Sequence, residues 1–267
     1  MNSWLSQIEL DLIQVIVVHD KKDEFTGPEL EQIISDHNEV NISLISGFFG
    51  DPGSARNAGF ISASGRWIAF WDSDDLPILD NFLAMVKQGE TLGSAICIGS
   101  FVTRNEISGS KVRQSIPPTN QDELPNYLKR ECGIWRFAFR REILENVTFP
   151  SLSMAEDQVF LCRTNFMSYS ILSFSDAVYE YYVGGALHLT KSRKAMKDLI
   201  QASRLTLKIK EYPTSKTFIK NLAIRQLFSA IKYGSVSIRF LSIKELLANL
   251  LFRKMDFGVF IDFFRKE

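Results

Sequence analysis

The sequence predicts an α/β protein: a mixed or parallel sheet flanked by helices, with a C-terminal helical extension. Three observations carry this. Short apolar runs at residues 12–18 and 67–71 have the length and composition of buried strands. Helix-start residues and three-and-four apolar spacing mark the stretches between and after such runs. Beyond residue 190 the strand signals stop and the charge changes sign. Residues 191–267 hold 17 Lys and Arg against 6 Asp and Glu, a balance of +11 that leaves −11 for residues 1–190. Opposite signs suggest two jobs, so we divide the chain into 1–190 and 191–267.

The composition, 45% apolar with a net charge of zero, is that of a globular protein. Cys97, Cys132 and Cys162 are widely spaced with no CxxC pair, which suggests a reducing compartment and neither a zinc knuckle nor a disulfide framework. The first 14 residues lack a signal peptide's basic region and apolar block, and no apolar run is long enough to span a bilayer.

In order, residues 12–18 (LIQVIVV) read as a buried strand that ends at His19-Asp20. Asp20 therefore sits where α/β sheets bind ligands, placed to accept hydrogen bonds from a ribose or base; a solvated acidic turn is the alternative. Pro28 opens a helix to residue 34, and residues 40–45 form a short strand. Pro52 with Gly50 and Gly53 makes a turn, and Ser54 caps a helix to residue 64 that Gly65 closes. Arg56 lies in its first turn, where a phosphate is welcome; an exposed helix arginine is the plainer reading.

The run 67–71 (WIAFW) leads straight into Asp72, Asp74 and Asp75 around Ser73. Three carboxylates at a strand end repel one another unless something positive sits among them. They look like a site for a hard divalent cation, Mg²⁺ or Mn²⁺, which prefers oxygen ligands and shares them with substrate phosphates. An acidic turn is the competing explanation.

Pro77 and Asp80 begin a helix to about residue 88. Residues 94–104 and 111–116 read as a hairpin around Gly109, 122–131 as a short helix interrupted by Pro125, and 134–139 as a strand followed by a short helix. Residues 154–161 open a helix with Glu156 and Asp157 in its first turn. That pair complements the helix dipole, and a rigid helix start also suits Asp157 as a general base. Residues 171–174 and 177–183 are strands. Gly184-Gly185 begins a loop that leads to His188, a ligand contact or a packed histidine.

Residues 195–211, 217–233 and 242–253 carry helical apolar spacing. The simplest use of those residues is packing. Their basic excess also fits amphipathic helices on an anionic membrane surface, with residues 246–252 and 257–264 as the apolar side. Nucleic acid is the weaker alternative, because the front part is acidic and shows no binding motif.

Five segments together resemble the family 2 glycosyltransferases of the GT-A fold, a Rossmann-like mixed sheet. They are VIVVHD at 15–20, GSARNAG at 53–59, ASGRWIAFWDSDD at 63–75, WRFAFRREIL at 135–144 and AEDQVFL at 155–161. The resemblance covers about residues 4–192. It implies that Asp20 contacts the base or ribose, that Arg56 lies near the diphosphate, and that Asp72 and Asp74 form a DxD-like motif. Asp74 would bind Mn²⁺ or Mg²⁺, with Asp72 nearer the ribose. It further implies Asp157 as the base in a Glu-Asp motif whose Glu156 belongs to the donor site. Tyr182 and His188 fall near a loop over the donor.

The implied activity is inverting transfer from a nucleotide diphosphate sugar, a UDP-sugar above all, to a glycan or lipid-linked hydroxyl. Such an enzyme serves cell-surface polysaccharide or lipopolysaccharide synthesis, in the cytoplasm or on the inner face of the membrane. The alternatives are a nucleotidyltransferase and a non-catalytic binding protein. The resemblance also implies an opening central strand that these 267 residues do not supply, because residues 3–7 match the end of the helix that follows it.

Overall fold

A computed structural model describes residues 12–37, 41–184, 195–209 and 216–251. Its contacts divide the chain into two compact units. The first takes Met1–Thr119, Ile134–Ser151 and Tyr169–Gly185, and the second Asn120–Gly133, Leu152–Ser168 and Ala186–Glu267, so far as they are described. The second unit thus draws two segments from the sequence before residue 191.

The first unit begins with β1 (Val15–Asp20), helix α1 (Thr26–Asp36), β2 (Ile42–Gly47) and helix α2 (Pro52–Ser62). β1 and β2 pair in parallel from Val15↔Ile42 to Asp20↔Gly47. Asp51, not Ser54, caps α2. Its carboxylate accepts the Ser54 N–H at 2.8 Å, and Pro52 fills the first helical turn, where a missing N–H costs nothing. The helix closes at Ala63 rather than Gly65. Gly53 is required by close approach: a Cβ there would lie 2.2 Å from the Pro150 carbonyl oxygen.

A second ladder holds six strands, ordered β3 (Trp67–Ile68), β7 (Phe137–Arg140), β5 (Ile96–Asn105), β8 (Ile171–Val183) and β4 (Leu76–Pro77), with β6 (Lys111–Ser115) also paired to β5. Helix α3 (Leu79–Thr91) follows β4. β5 and β8 run parallel, while β7, β6, β3 and β4 pair antiparallel with their neighbours. The expected strand at 67–71 is corrected here. Only Trp67 and Ile68 enter a ladder, antiparallel to Arg140 and Phe139, and residues 69–71 continue without strand pairing. Burial still runs through the segment, with Ile68 and Phe70 in the core.

Two further expectations change. Ile134–Arg136 is a 3₁₀ turn leading into β7, and the two strands expected at 171–174 and 177–183 are one strand whose pairing slips beside Gly99 and Ser100. Phe82, Met85, Cys97, Phe101, Trp135, Ala138, Val178 and Tyr179 pack together as this unit's core. Trp135 stacks on Tyr179 at 4.5 Å and meets Phe101 edge-on at 4.7 Å. Burial pushes the Cys97 thiol up to about 12, so it acts as a small apolar side chain.

The second unit contains the short helix α4 (Leu124–Leu128), α5 (Glu156–Arg163), α6 (Met196–Thr206), α7 (Lys216–Tyr233) and α8 (Val236–Leu251). Its core gathers Leu152, Ala155 and Val159 with Leu199, Ala223, Ile224, Leu227 and Leu246. Leu246 is therefore buried, in keeping with the packing use of these helices and not with the outward apolar side. α8 starts earlier than the expected residue 242, and the large side chains it exposes are Val236, Phe240, Leu241, Ile243 and Leu247. Among the described residues no helix is long and apolar enough to cross a membrane. Residues 252–267, which include all of the expected second apolar stretch at 257–264, lie outside the described residues.

Candidate functional site

The first unit's candidate site is a four-residue turn, Asp72 to Asp75. The Asp75 N–H points back to the Asp72 carbonyl at 3.5 Å, and Ser73 and Asp74 form the exposed tip. The preceding run carries the chain up from β3, and the two-residue strand β4 pins its exit against β8 at Leu76↔Glu180.

The three carboxylates do not converge. Asp72 Oδ1 accepts from Arg56 Nη2 at 2.6 Å, a pair whose side chains are 30% and 16% exposed. Asp74 faces solvent. Asp75 turns inward: Oδ1 accepts the Tyr182 N–H at 2.7 Å, and Oδ2 is buried without a hydrogen-bond partner. Burial, reinforced by Asp72 and Asp74, pushes the Asp75 carboxyl up to about 7, against the pull of the Tyr182 N–H. The expectation that all three Asp residues share one cation is thus corrected. Arg56 offsets the charge of Asp72, whereas burial makes an ionised Asp75 costly and favours its protonated form.

Arg56 is held as well as charged. Its guanidinium lies 5.6 Å from the centre of the Phe149 ring, and Phe149 meets Phe70 edge-on at 4.9 Å. Asn57 fixes that platform. Its amide donates to the Phe149 carbonyl and accepts from the Phe149 N–H, each at 2.9 Å. Asn57, Phe149 and Tyr179 are not among the residues the sequence singles out. Asn57 lies within GSARNAG at 53–59, but its partner is 92 residues away.

Asp20 ends β1 as expected. Its carboxylate accepts from the N–H groups of Lys22 at 3.1 Å and Gly50 at 2.7 Å, and these bonds hold it below the usual carboxylate range. It therefore braces the loop before α2, and lone pairs remain on its exposed oxygens for another donor. Glu156 and Asp157 belong to the second unit, at the start of α5. Glu156 is buried, and Asp157 Oδ1 accepts the Gln158 N–H at 2.7 Å. Ala155 before them has φ +62°, a left-handed conformation that costs free energy for a residue with a Cβ. His188 lies outside the described residues.

Among the described residues no three His, Cys, Asp or Glu side chains form a ready-made metal cage. The donor chemistry nevertheless fits a hard cation that completes its shell with phosphate and water. Asp72 and the exposed Asp74 offer carboxylate oxygens at one turn, and Mg²⁺ sites that take phosphates commonly use one or two carboxylates.

The family model described as "Glycosyl transferase family 2" matches residues 1–155. The putative glycosyltransferase EpsH of Bacillus subtilis (strain 168) is 26% identical over 224 residues, which is 79% of this chain and 62% of that protein. The succinoglycan biosynthesis protein ExoO of Rhizobium meliloti (strain 1021) is 29% identical over 164 residues, 56% of this chain and 46% of that one. The chain thus spans less than two thirds of either relative.

Among solved structures, S. aureus TarS 1–349 in complex with UDP-GlcNAc superposes with a TM-score of 0.65 at 18% identity, covering 87% of this chain and 68% of that one. The mannosyltransferase PcManGT from Pyrobaculum calidifontis, in complex with GDP-Man and Mn²⁺, gives 0.57 at 18%, covering 93% and 74%. At such identities the likeness is one of fold, and that fold is the GT-A fold of these glycosyltransferases.

Proposed function

The chain belongs to glycosyl transferase family 2, and on that premise we propose that it moves a sugar from a nucleotide diphosphate sugar to an acceptor hydroxyl with inversion. The observation that carries the reading is the Asp72–Asp74 turn braced by Arg56. It supplies hard oxygens and a fixed guanidinium at the turn between β3 and β4. Asp74 and Asp72 would hold Mn²⁺ or Mg²⁺, and the cation supplies positive charge against the departing diphosphate. Arg56, kept in place by Asp72 and Phe149, adds a second positive group that needs no reorganisation during the reaction. Asp20 serves the nucleoside side, and Glu156 and His188 are assigned to the donor.

Asp157 takes the proton of the acceptor hydroxyl. The hydroxyl oxygen then bonds to the anomeric carbon, and the bond from that carbon to the diphosphate oxygen breaks on the opposite face. The strained Ala155 just before Glu156-Asp157 supports a functional role for this helix start. The donor is a UDP-sugar, and the acceptor is a glycan or lipid-linked hydroxyl in cell-surface polysaccharide or lipopolysaccharide synthesis. The relatives' polysaccharide setting and the UDP-GlcNAc complex of TarS support both assignments. The domain boundary is placed at 190/191. The basic extension rests on an anionic inner membrane face, which fits the apolar residues exposed on α8.

The test is to incubate the chain with UDP- and GDP-sugars, Mn²⁺ and candidate acceptors while measuring nucleoside diphosphate release. Asp157→Asn is expected to abolish release and leave donor binding largely intact. Full activity in that variant removes Asp157 as the base. Release of inorganic diphosphate instead points to nucleotidyl transfer, and absence of any metal-dependent nucleotide binding points to a non-catalytic protein.

A further inference from the structure

We propose that Asp75 is not a cation ligand but a positioning residue, which with Tyr179 brackets the aspartate turn to β8 and so fixes where Asp74 points. The inference rests on the donor-binding reading above.

Both ends of the turn are tied to the same strand. At the entry, the Asp72 N–H donates to the Tyr179 hydroxyl at 3.1 Å. At the exit, the Asp75 carboxylate accepts the Tyr182 N–H at 2.7 Å, and the chain then enters β4 against Glu180 and Tyr179. Tyr179 has little freedom to move. It is fully buried and stacked on Trp135, which is itself wedged against Phe101. A four-residue turn anchored at its first and last residues leaves only Ser73 and Asp74 at the tip. The backbone that carries the Asp74 carboxylate is then held from both sides by groups on β8.

Asp75 is also unlike a ligand in its surroundings. It is 7% exposed, whereas Asp74 is open to solvent. Its Oδ1 is already engaged by the Tyr182 N–H on β8, which turns the carboxylate away from the exposed tip at Ser73 and Asp74. An asparagine at 75 keeps the Oδ1 acceptor for Tyr182 and removes the charge; an alanine removes the bracket. The two substitutions therefore separate a positioning role from a ligand role.

The experiment titrates Mn²⁺ into the full chain in the presence of UDP. It follows free Mn²⁺ by electron paramagnetic resonance, with hydrogen exchange of the segments 72–76 and 179–183 read on the same proteins. Asp74→Asn is expected to lose Mn²⁺ affinity most. Asp75→Asn should stay close to wild type. Asp75→Ala and Tyr179→Phe should weaken Mn²⁺ binding about tenfold, the scale for groups that orient ligands, and speed exchange in both segments.

Asp75→Asn behaving like Asp74→Asn would make Asp75 a ligand and overturn the proposal. Wild-type affinity in Tyr179→Phe, which keeps the ring and its stacking, would overturn it even if Asp75→Ala fails to fold. A wild-type chain that shows no Mn²⁺-dependent UDP binding would overturn the donor-binding reading instead. In that case unchanged exchange in Tyr179→Phe would still dispose of the bracket by itself.

Discussion

Replacing Asp75 by Asn should stabilise the protein at alkaline pH and leave it nearly unchanged at acid pH. The reason is the difference between the carboxyl's ordinary value of 3.8 and the value of about 7 to which burial pushes it. Below pH 4 the group is protonated in both folded and unfolded chains and contributes nothing. Between about 4 and 7 the unfolded chain ionises while the folded one resists, so native stability falls as pH rises. Above 7 both forms are ionised and the penalty is constant.

At 1.36 kcal/mol per pH unit, that gap sets an upper bound of about 4 kcal/mol. The turn is at the surface beside the exposed Asp74, so solvent screening removes roughly half and leaves about 2 kcal/mol. For a chain of this size that corresponds to about 4–8 °C in Tm. Differential scanning calorimetry of wild type and Asp75→Asn, in EDTA from pH 4 to pH 8, reads the difference for Asp75 and the two carboxylates coupled to it, because the titrating groups elsewhere cancel. A Tm difference that stays flat across that range, or a variant less stable than wild type at pH 8, would refute the reasoning.

The Asn57 bracket predicts a second effect. Asn57→Ala strips two hydrogen bonds from the Phe149 backbone, costing about 2 kcal/mol in all and lowering Tm in a calorimetric scan; it should also weaken UDP binding by freeing the platform beneath Arg56. On the proposed reading the turn offers a cation few protein oxygens, so Mn²⁺ and UDP should each bind better in the other's presence when followed by calorimetry. The α8 surface predicts that the full chain sediments with vesicles containing anionic lipid but not with zwitterionic ones, and that Phe240→Ser with Leu247→Ser reduces sedimentation.

What the sequence made legible is local. A short apolar run entering an acidic turn, an arginine in the first turn of a helix and a Glu-Asp pair at another helix start are all patterns within about ten residues. The cap of α2 is local too, yet the expectation of Ser54 misses it: Pro52 in the first turn marks the residue before it, Asp51, as the cap. What could not be read was the division of labour among Asp72, Asp74 and Asp75. It is decided by Tyr179 and Tyr182, each 107 residues from its partner in the turn. Charge spacing announces that three carboxylates must be accommodated; only strand pairing and aromatic stacking determine which one turns inward.

The basic extension shows the same limit from the side of helix phase. Apolar spacing leaves Leu246 open to two uses, packing or an outward apolar side, and the structure takes the first. The face that packs includes Ser242 and Asn249 beside Ile238 and Leu246. The Ser242 hydroxyl donates to the Ile238 carbonyl at 2.8 Å and the Asn249 amide to the Glu245 carbonyl at 2.9 Å. Each thereby satisfies its polarity within its own helix and can enter an apolar core at little cost. Apolar side chains displaced from that face, Phe240 and Leu247 among them, are left in water. A helix that buries serine and asparagine while exposing phenylalanine and leucine has not maximised its own packing, and the surplus apolar surface is what gives the vesicle experiment something to detect.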